Sequence, residues 1–444
     1  MIIKQFEYAP LAHYSYAIIS DGKMSIIDPE RDPTQYYEYA HENDADIVAV
    51  METHPHADFV SSHLQIHEET GATIYNSEKL GASYPFTAFD EGVTLNLGNV
   101  TLSAINTPGH SPDSITIIAK DDNQMALFTG DTLFIGDVGR PDLREKSGNM
   151  KAKREELAEM MYHTIRNKFK GIPDEAIVYP AHGAGSLCGK NLSSASSSTL
   201  GEERQGNWAF KELTKEEFTS YLLDSQPFIP SYFGFNVDIN KMGSKNVRKA
   251  TASIEFKFNA MENGWLVDTR NEWDFKKGHL PGSINIQANS PKDKFETWLG
   301  SIIAPEEPFH IVIDNPYDLE AILNRVSKIG YESQLKSVIT PDKKHLEQSN
   351  GLDLSDFKKN PSDYTIVDIR NQSEINEGTF FGGALTHPLN NLRNTYKDIP
   401  RDKPIVVHCA GGYRSAAGSS LLQKLMQNAK VLDLGEEVKE FKNT

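Results

Sequence analysis

Cysteine is nearly absent from this chain, which has two: Cys188 and Cys409. That excludes a disulfide framework and a cysteine-rich zinc or iron–sulfur site, and it suits a reducing compartment. Any bound metal must then be held by His and carboxylate. Basic charge is scarce as well. Lys and Arg number 45 against 62 Asp and Glu, for a net charge of −17. Such a surface repels a phosphate backbone, which argues against a nucleic-acid partner. A local positive pocket can still take an anionic substrate. No apolar run is long enough to span a membrane, so no membrane partner is expected. The first residues, Met1 through Glu7, lack the basic patch and apolar run of a signal peptide. These absences predict a cytoplasmic enzyme.

What is present divides into parts. At about 150 residues per domain, 444 residues suggest roughly three domains. The first part alternates short apolar strands with turns. Asp46–Met51, Val100–Ile105 and Met125–Thr129 each run into a cluster of His, Gly or Asp. Polar groups at the ends of buried strands are a common active-site arrangement. The serine run 193–198 predicts a mobile loop. The remainder contains a repeat. Leu266-Val267-Asp268-Thr269-Arg270-Asn271 overlays Ile366-Val367-Asp368-Ile369-Arg370-Asn371, and Gly278 and Gly282 overlay Gly378 and Gly382. A spacing that long means two copies of a small α/β domain rather than a solenoid. The predicted division is 1–244, 245–350 and 351–444.

The strongest constellation is Thr53-His54-Pro55-His56-Ala57-Asp58, then Thr107-Pro108-Gly109-His110, then Gly130-Asp131-Thr132, then Pro180-Ala181-His182-Gly183. One such group alone is usually a turn or a cap. Four in series, each after an apolar strand, point to a metal site. His-x-His-x-Asp, Pro-Gly-His and Gly-Asp-Thr in this order resemble the metallo-β-lactamase fold, an αββα sandwich with its metal site along one edge. The run Gly130 to Leu143 is similar to the persulfide dioxygenase branch of that superfamily. The resemblance covers roughly residues 1–243.

One departure is informative. The dinuclear hydrolases of this fold carry a His directly after the motif Asp, where this chain has Phe59. A phenyl ring cannot ligate, so a second metal loses a ligand. The resemblance implies that His54, His110 and Asp131 bind one iron(II) per chain. Two imidazoles and one carboxylate form the facial triad of non-haem iron oxygenases. It further implies that His56 and Asp58 lie behind the ligands. His182 matches a ligand of the dinuclear relatives and is expected to be left without metal. The reaction this implies is oxidation of the terminal sulfur of a persulfide by dioxygen, giving sulfite and the parent thiol. Zinc lacks the redox couple for it. Arg140 is a candidate for binding the anionic part of the carrier thiol, against a plain salt bridge at equal weight. Cys188 is read as a packed thiol, with a sulfur-handling role as the alternative.

Near the end, Ile405–Cys409 is a buried strand closing on a cysteine, followed by Ala410-Gly411-Gly412-Tyr413-Arg414 and a helical run. A strand, a Gly-rich loop and a helix N-terminus form a nest of N–H groups, which favours a thiolate. Cys409 and Arg414 enclose four residues, one fewer than in the protein tyrosine phosphatases, and the tighter loop resembles the rhodanese family. Many rhodaneses carry Arg or Lys where Ala410 stands, so thiosulfate is expected to be a poor donor. In the first copy, overlaying Ile311–Asp314 on Ile405–His408 puts Asn315 at the cysteine position and Glu320 at the arginine position. That copy reads as catalytically inactive, a spacer or assembly surface, which favours a homo-oligomer.

The whole reads as an α/β multidomain chain: an αββα metallo-β-lactamase sandwich and two rhodanese-like domains. It resembles the persulfide dioxygenase–rhodanese fusions of bacterial sulfide detoxification. Its expected partners are a low-molecular-weight thiol persulfide, dioxygen and sulfite, with thiosulfate as product. Which thiol carries the persulfide stays open. The rivals are a glyoxalase II-type thioester hydrolase and a non-enzymatic persulfide sensor.

Overall fold

The computed structural model describes residues 1–144, 153–258, 263–341 and 345–441. These form two compact units. The first comprises Met1–Thr251 with Val326–Gly330, and the second comprises Ala252–Arg325 with Tyr331–Thr444.

In the first unit, β1 (Ile2–Tyr8), β2 (His13–Ser20), β3 (Lys23–Ile27), β4 (Asp46–Met51), β5 (Thr73–Asn76) and β6 (Thr87–Ala88) make one sheet in that order. The second sheet runs β12 (Ser198–Thr199), β11 (Ile177–Pro180), β10 (Met125–Gly130), β9 (Ile115–Lys120), β8 (Val100–Asn106) and β7 (Thr94–Leu97). Strand alternation explains the layering. Tyr16, Ile18 and Ile27 of one sheet meet Leu102, Ile117, Ala126 and Phe128 of the other in a shared core. Their neighbours Ala17, Ile19, Met24 and Ile26 face outward against Tyr36, Ala40 and Ile66 of two helices. Leu127 and Val178 face outward on the other side, against Ala158, Met161, Ile165 and Phe218. This is the expected αββα sandwich. The serine run is held rather than loose: Ser193 N–H donates to Ile135 O, and the run leads into β12, whose Thr199 caps the next helix.

The second unit holds two parallel sheets. One is β13 (Glu255–Phe258), β17 (Leu335–Thr340), β16 (Phe309–Val312), β14 (Trp265–Asp268) and β15 (Ile284–Asn285). The other is β19 (Leu385–Thr386), β18 (Thr365–Asp368), β20 (Ile405–His408) and β21 (Val431–Asp433). β16 and β20 are buried along their whole length, as expected of parallel strands covered on both faces.

The repeat is visible in atomic detail. Arg270 donates from Nε to Asp268 Oδ1 (3.0 Å) and from Nη2 to Asp268 Oδ2 (2.6 Å) and Gly278 O (2.8 Å). Arg370 makes the same three bonds to Asp368 and Gly378 O at the same distances. The Asp-x-Arg motif is therefore a clamp behind the loop in both copies. The strand register corrects the overlay of the loops. Asp368 pairs with His408, and Asp268 pairs with Val312. The residue opposite Cys409 is therefore Ile313, not Asn315, and the one opposite Arg414 is Asp318, not Glu320. Neither replacement supplies a thiol or a cation.

Candidate metal centre and sulfur loop

The strands of the sandwich deliver their polar ends to one edge. β3 ends at Asp28, β4 runs into Glu52, Thr53 and His54, β8 leads to His110, β10 to Asp131 and β11 to His182. Among the described residues, three buried groups bring potential ligand atoms within 4.8 Å of one another: His54 with His110 and Asp131; Asp58 with His182 and Cys188; Asp28 with Glu52 and His56.

The first group fits a metal best. His54 Nε2 lies 3.7 Å and His110 Nε2 3.6 Å from Asp131 Oδ2. That oxygen is buried and accepts no hydrogen bond. Both opposite nitrogens are tied: His110 Nδ1 donates to Arg140 O at 2.8 Å, and His54 Nδ1 is 3.0 Å from Thr53 Oγ1. Such tethers fix the ring and leave Nε2 as the lone-pair nitrogen. Burial pushes both imidazoles below their ordinary pKa, so they are neutral at physiological pH. Burial alone favours a neutral Asp131, but His182, His54 and His110 around it hold the carboxyl well below the usual range. An anionic oxygen and two neutral imidazoles on one point is the donor set of a divalent cation.

The other two groups are less open: His182 has both ring nitrogens paired and His56 faces carboxylates, though Asp58 Oδ1 and His56 Nδ1 also lack a hydrogen-bond partner. His182 lies between carboxylates, with Nδ1 2.7 Å from Asp131 Oδ1 and Nε2 2.8 Å from Asp58 Oδ2. Burial opposes its charge, yet Asp131 and Asp58 raise it well above an ordinary imidazole. With both ring nitrogens taken, it has no lone pair to offer. Asp58 thus acts on Asp131 through His182. His56 turns the other way, with Nε2 3.2 Å from Asp28 Oδ1 and 3.8 Å from Glu52 Oε2. Asp28 in turn accepts from Thr53 N and Oγ1. Phe59 fills the remaining space, its ring 3.9 Å from that of His13 and 4.4 Å from that of His56. His13, Asp28, Glu52 and His63, whose Nδ1 lies 3.2 Å from Glu52 Oε1, did not stand out in the sequence.

Arg140 is fully buried and spends its donors internally. It forks onto Asp142 (2.6 and 2.8 Å) and reaches Leu187 O (3.1 Å). It therefore presents no free fork to the pocket, and its contribution is its carbonyl, which holds His110. Cys188 does face the metal-binding edge. Its thiol groups with Asp58 and His182, and burial, with Asp131 and Asp58 nearby, pushes it well above the ordinary thiol range. Gly139 leaves no room for a side chain: an added Cβ would run into Asp131 O and come within 3.0 Å of His110 Nδ1. Gly139→Ala is expected to displace both ligands, to cost about 1–3 kcal/mol as overpacking does, and to lower the metal content of the purified protein. Full metal content in the variant would show that the loop yields without moving the ligands.

Cys409 is buried at the mouth of the second loop. Gly412, at φ +106°, turns its N–H onto Cys409 Sγ at 3.2 Å, and the helix Tyr413–Leu425 starts there. Burial works against the Arg414 charge, but Glu374, and after it Cys409, raise the guanidinium above its ordinary range. It forks onto Glu374, Nη1 to Oε2 at 2.5 Å and Nη2 to Oε1 at 2.7 Å.

Residues 8–182 match the model of the Metallo-beta-lactamase superfamily, and residues 255–332 and 353–442 match that of the Rhodanese-like domain. The chain is 30% identical to a probable hydroxyacylglutathione hydrolase of Schizosaccharomyces pombe, over 40% of this chain and 72% of that protein. It is 26% identical to the mitochondrial persulfide dioxygenase of Homo sapiens, over 31% of this chain and 49% of that protein. A solved metallo-beta-lactamase from Staphylococcus aureus superposes with a TM-score of 0.70 at 31% identity, covering 77% of this chain and 99% of that one. No helix among the described residues is long and apolar enough to cross a membrane.

Proposed function

The chain belongs to the metallo-beta-lactamase superfamily and carries rhodanese-like domains after its sandwich, and from that premise we propose that it oxidises low-molecular-weight persulfides with dioxygen and passes sulfane sulfur to sulfite. The observation that carries this reading is the donor arrangement. Two imidazole nitrogens, of His54 and His110, converge on an unbonded carboxylate oxygen of Asp131, while His182 is locked by two carboxylates and Phe59 occupies the neighbouring space. That arrangement supports one metal, held by His54, His110 and Asp131.

Iron(II) in that position supplies activation of dioxygen and an affinity for anionic sulfur that no side chain here has. The protein's own part is to keep His54 and His110 neutral and fixed through Thr53 and Arg140, and to keep Asp131 anionic through His182. Asp58 and His56 stand behind the ligands. Cys188 lines the same edge with a thiol that burial keeps protonated, and can donate S–H to an anionic persulfide. In balance, R–S–SH, dioxygen and water give R–SH and sulfurous acid. At the second site, the Cys409 thiolate attacks the outer sulfur of another R–S–SH. The S–S bond breaks, R–S⁻ leaves, and Cys409–S–SH forms. Sulfite then takes the outer sulfur as thiosulfate, returning the thiolate and a proton. In this reading the chain has three parts, 1–244, 245–350 and 351–444, the middle one scaffolding and favouring self-association.

The hydroxyacylglutathione hydrolase relative favours a second reading, zinc-dependent thioester hydrolysis in the same pocket. Metal analysis of protein purified without oxygen, followed by oxygen uptake across several persulfides, separates the two. One iron per chain with steady uptake is expected. Two metals per chain, or bound zinc with thioester turnover and no uptake, would overturn the dioxygenase reading.

A further inference from the structure

The Arg414–Glu374 pair is used by none of the steps above. A guanidinium beside a sulfur nucleophile is a planar fork suited to a small oxyanion. Here the fork is already taken, since both its terminal nitrogens donate to one carboxylate. The Glu374 side chain is 31% exposed and that of Arg414 15%, so the acid can move off more readily than the base. Burial works against Glu374's charge, but Arg414 holds the carboxyl below its usual range. Glu374 is otherwise anchored only locally, through an Oε2 that accepts from Asn371 N–H at 3.0 Å and caps the helix Gln372–Asn376. The neighbouring Ala410 adds no positive charge to offset it.

We propose that Glu374 is the specificity-determining residue of the Cys409 loop: its carboxylate is a built-in competitor that sulfite and thiosulfate must displace from Arg414. This rests on the sulfur-transfer reading and deepens it. Donation by thiosulfate is the reverse of transfer to sulfite, so both anions meet the same competitor. Sulfite is then drawn into the site only as its concentration rises, and newly formed thiosulfate is released rather than held. The reacting sulfur end of a persulfide R–S–SH carries no oxyanion and does not need the fork.

Glu374→Gln tests this in the full, iron-loaded chain. Gln keeps the helix cap and the side-chain length while removing the charge. Under anaerobic conditions, KM is measured for inorganic thiosulfate with cyanide as acceptor, and for sulfite with glutathione persulfide as donor. Both oxyanion KM values are expected to fall on the order of tenfold, the scale of one charge-assisted hydrogen bond. The KM for the persulfide should stay near wild type, and the change should sit in KM rather than kcat. Glu374→Asp, which keeps the charge, should stay within a few-fold of wild type on the same axis. Unchanged oxyanion KM values, or a kcat loss shared by every donor, would overturn the proposal, the latter marking Glu374 as a structural brace. If Glu374→Gln does not fold, Glu374→Ala is read by the same KM split. Oxygen uptake with the persulfide, measured alongside in air, reports on the iron site separately. Its absence counts against the dioxygenase reading and leaves this proposal standing or falling on the KM values.

Discussion

His110→Ala is expected to abolish metal binding and, on the proposed function, oxygen uptake with it. The imidazole supplies one of the two neutral nitrogens aimed at Asp131 Oδ2. Losing a residue that only supports a ligand costs about 10- to 100-fold in metal affinity, so losing the ligand itself should exceed about 100-fold. The fold should survive. The structural loss is one hydrogen bond to Arg140 O and a small buried ring, a few kcal/mol at most. Metal content by mass spectrometry, with a circular dichroism control, reads the result. A folded variant that keeps one tightly held iron and takes up oxygen would remove His110 from the ligand set.

Cys409→Ser should leave oxygen uptake intact and change what accumulates. Serine at this position is a far weaker nucleophile at neutral pH and cannot hold sulfane sulfur. The proposed ligands His54, His110 and Asp131 lie on other elements. With persulfide and dioxygen, the variant should release sulfite where the wild type is expected to release thiosulfate, leaving only the spontaneous reaction of sulfite with persulfide. Ion chromatography distinguishes the products. Thiosulfate as the main product, after subtracting the spontaneous rate, would sink the coupling and leave Cys188 as the sulfur carrier. Its thiol, raised by burial beside Asp131, is poorly suited to that role.

Much of the first site could be read from sequence because each candidate ligand follows an apolar strand, and strand ends of one sandwich gather on one edge. Asp28 after Ile26-Ile27 and Glu52 after Met51 carry the same signal, but a lone carboxylate after a strand is too common to single out. The pairings were beyond reach. Arg140 gave no sign that Asp142 would take its fork, and Glu374 lies forty positions from the arginine it holds. The slip in the first copy has a physical origin too. Ile311-Val312-Ile313 is apolar on both faces, and strand side chains alternate with period two, so a shift of two residues keeps every side chain on its face and changes no polarity. Only the pairing of Asp268 with Val312 breaks that tie.

The two Asp-x-Arg clamps have a consequence for the loops they stand behind. Each ties a strand end to the backbone at Gly278 or Gly378 and makes none of its three bonds to the residues of the sulfur loop. The clamp in each copy therefore does not depend on which side chain stands at the loop's cysteine position. Two copies of one frame can thus carry different loops, Ile313 and Asp318 in one where the other has Cys409 and Arg414. Shape and chemistry are separable demands on this repeat, and a change in one loop need not be a change in the frame that carries it.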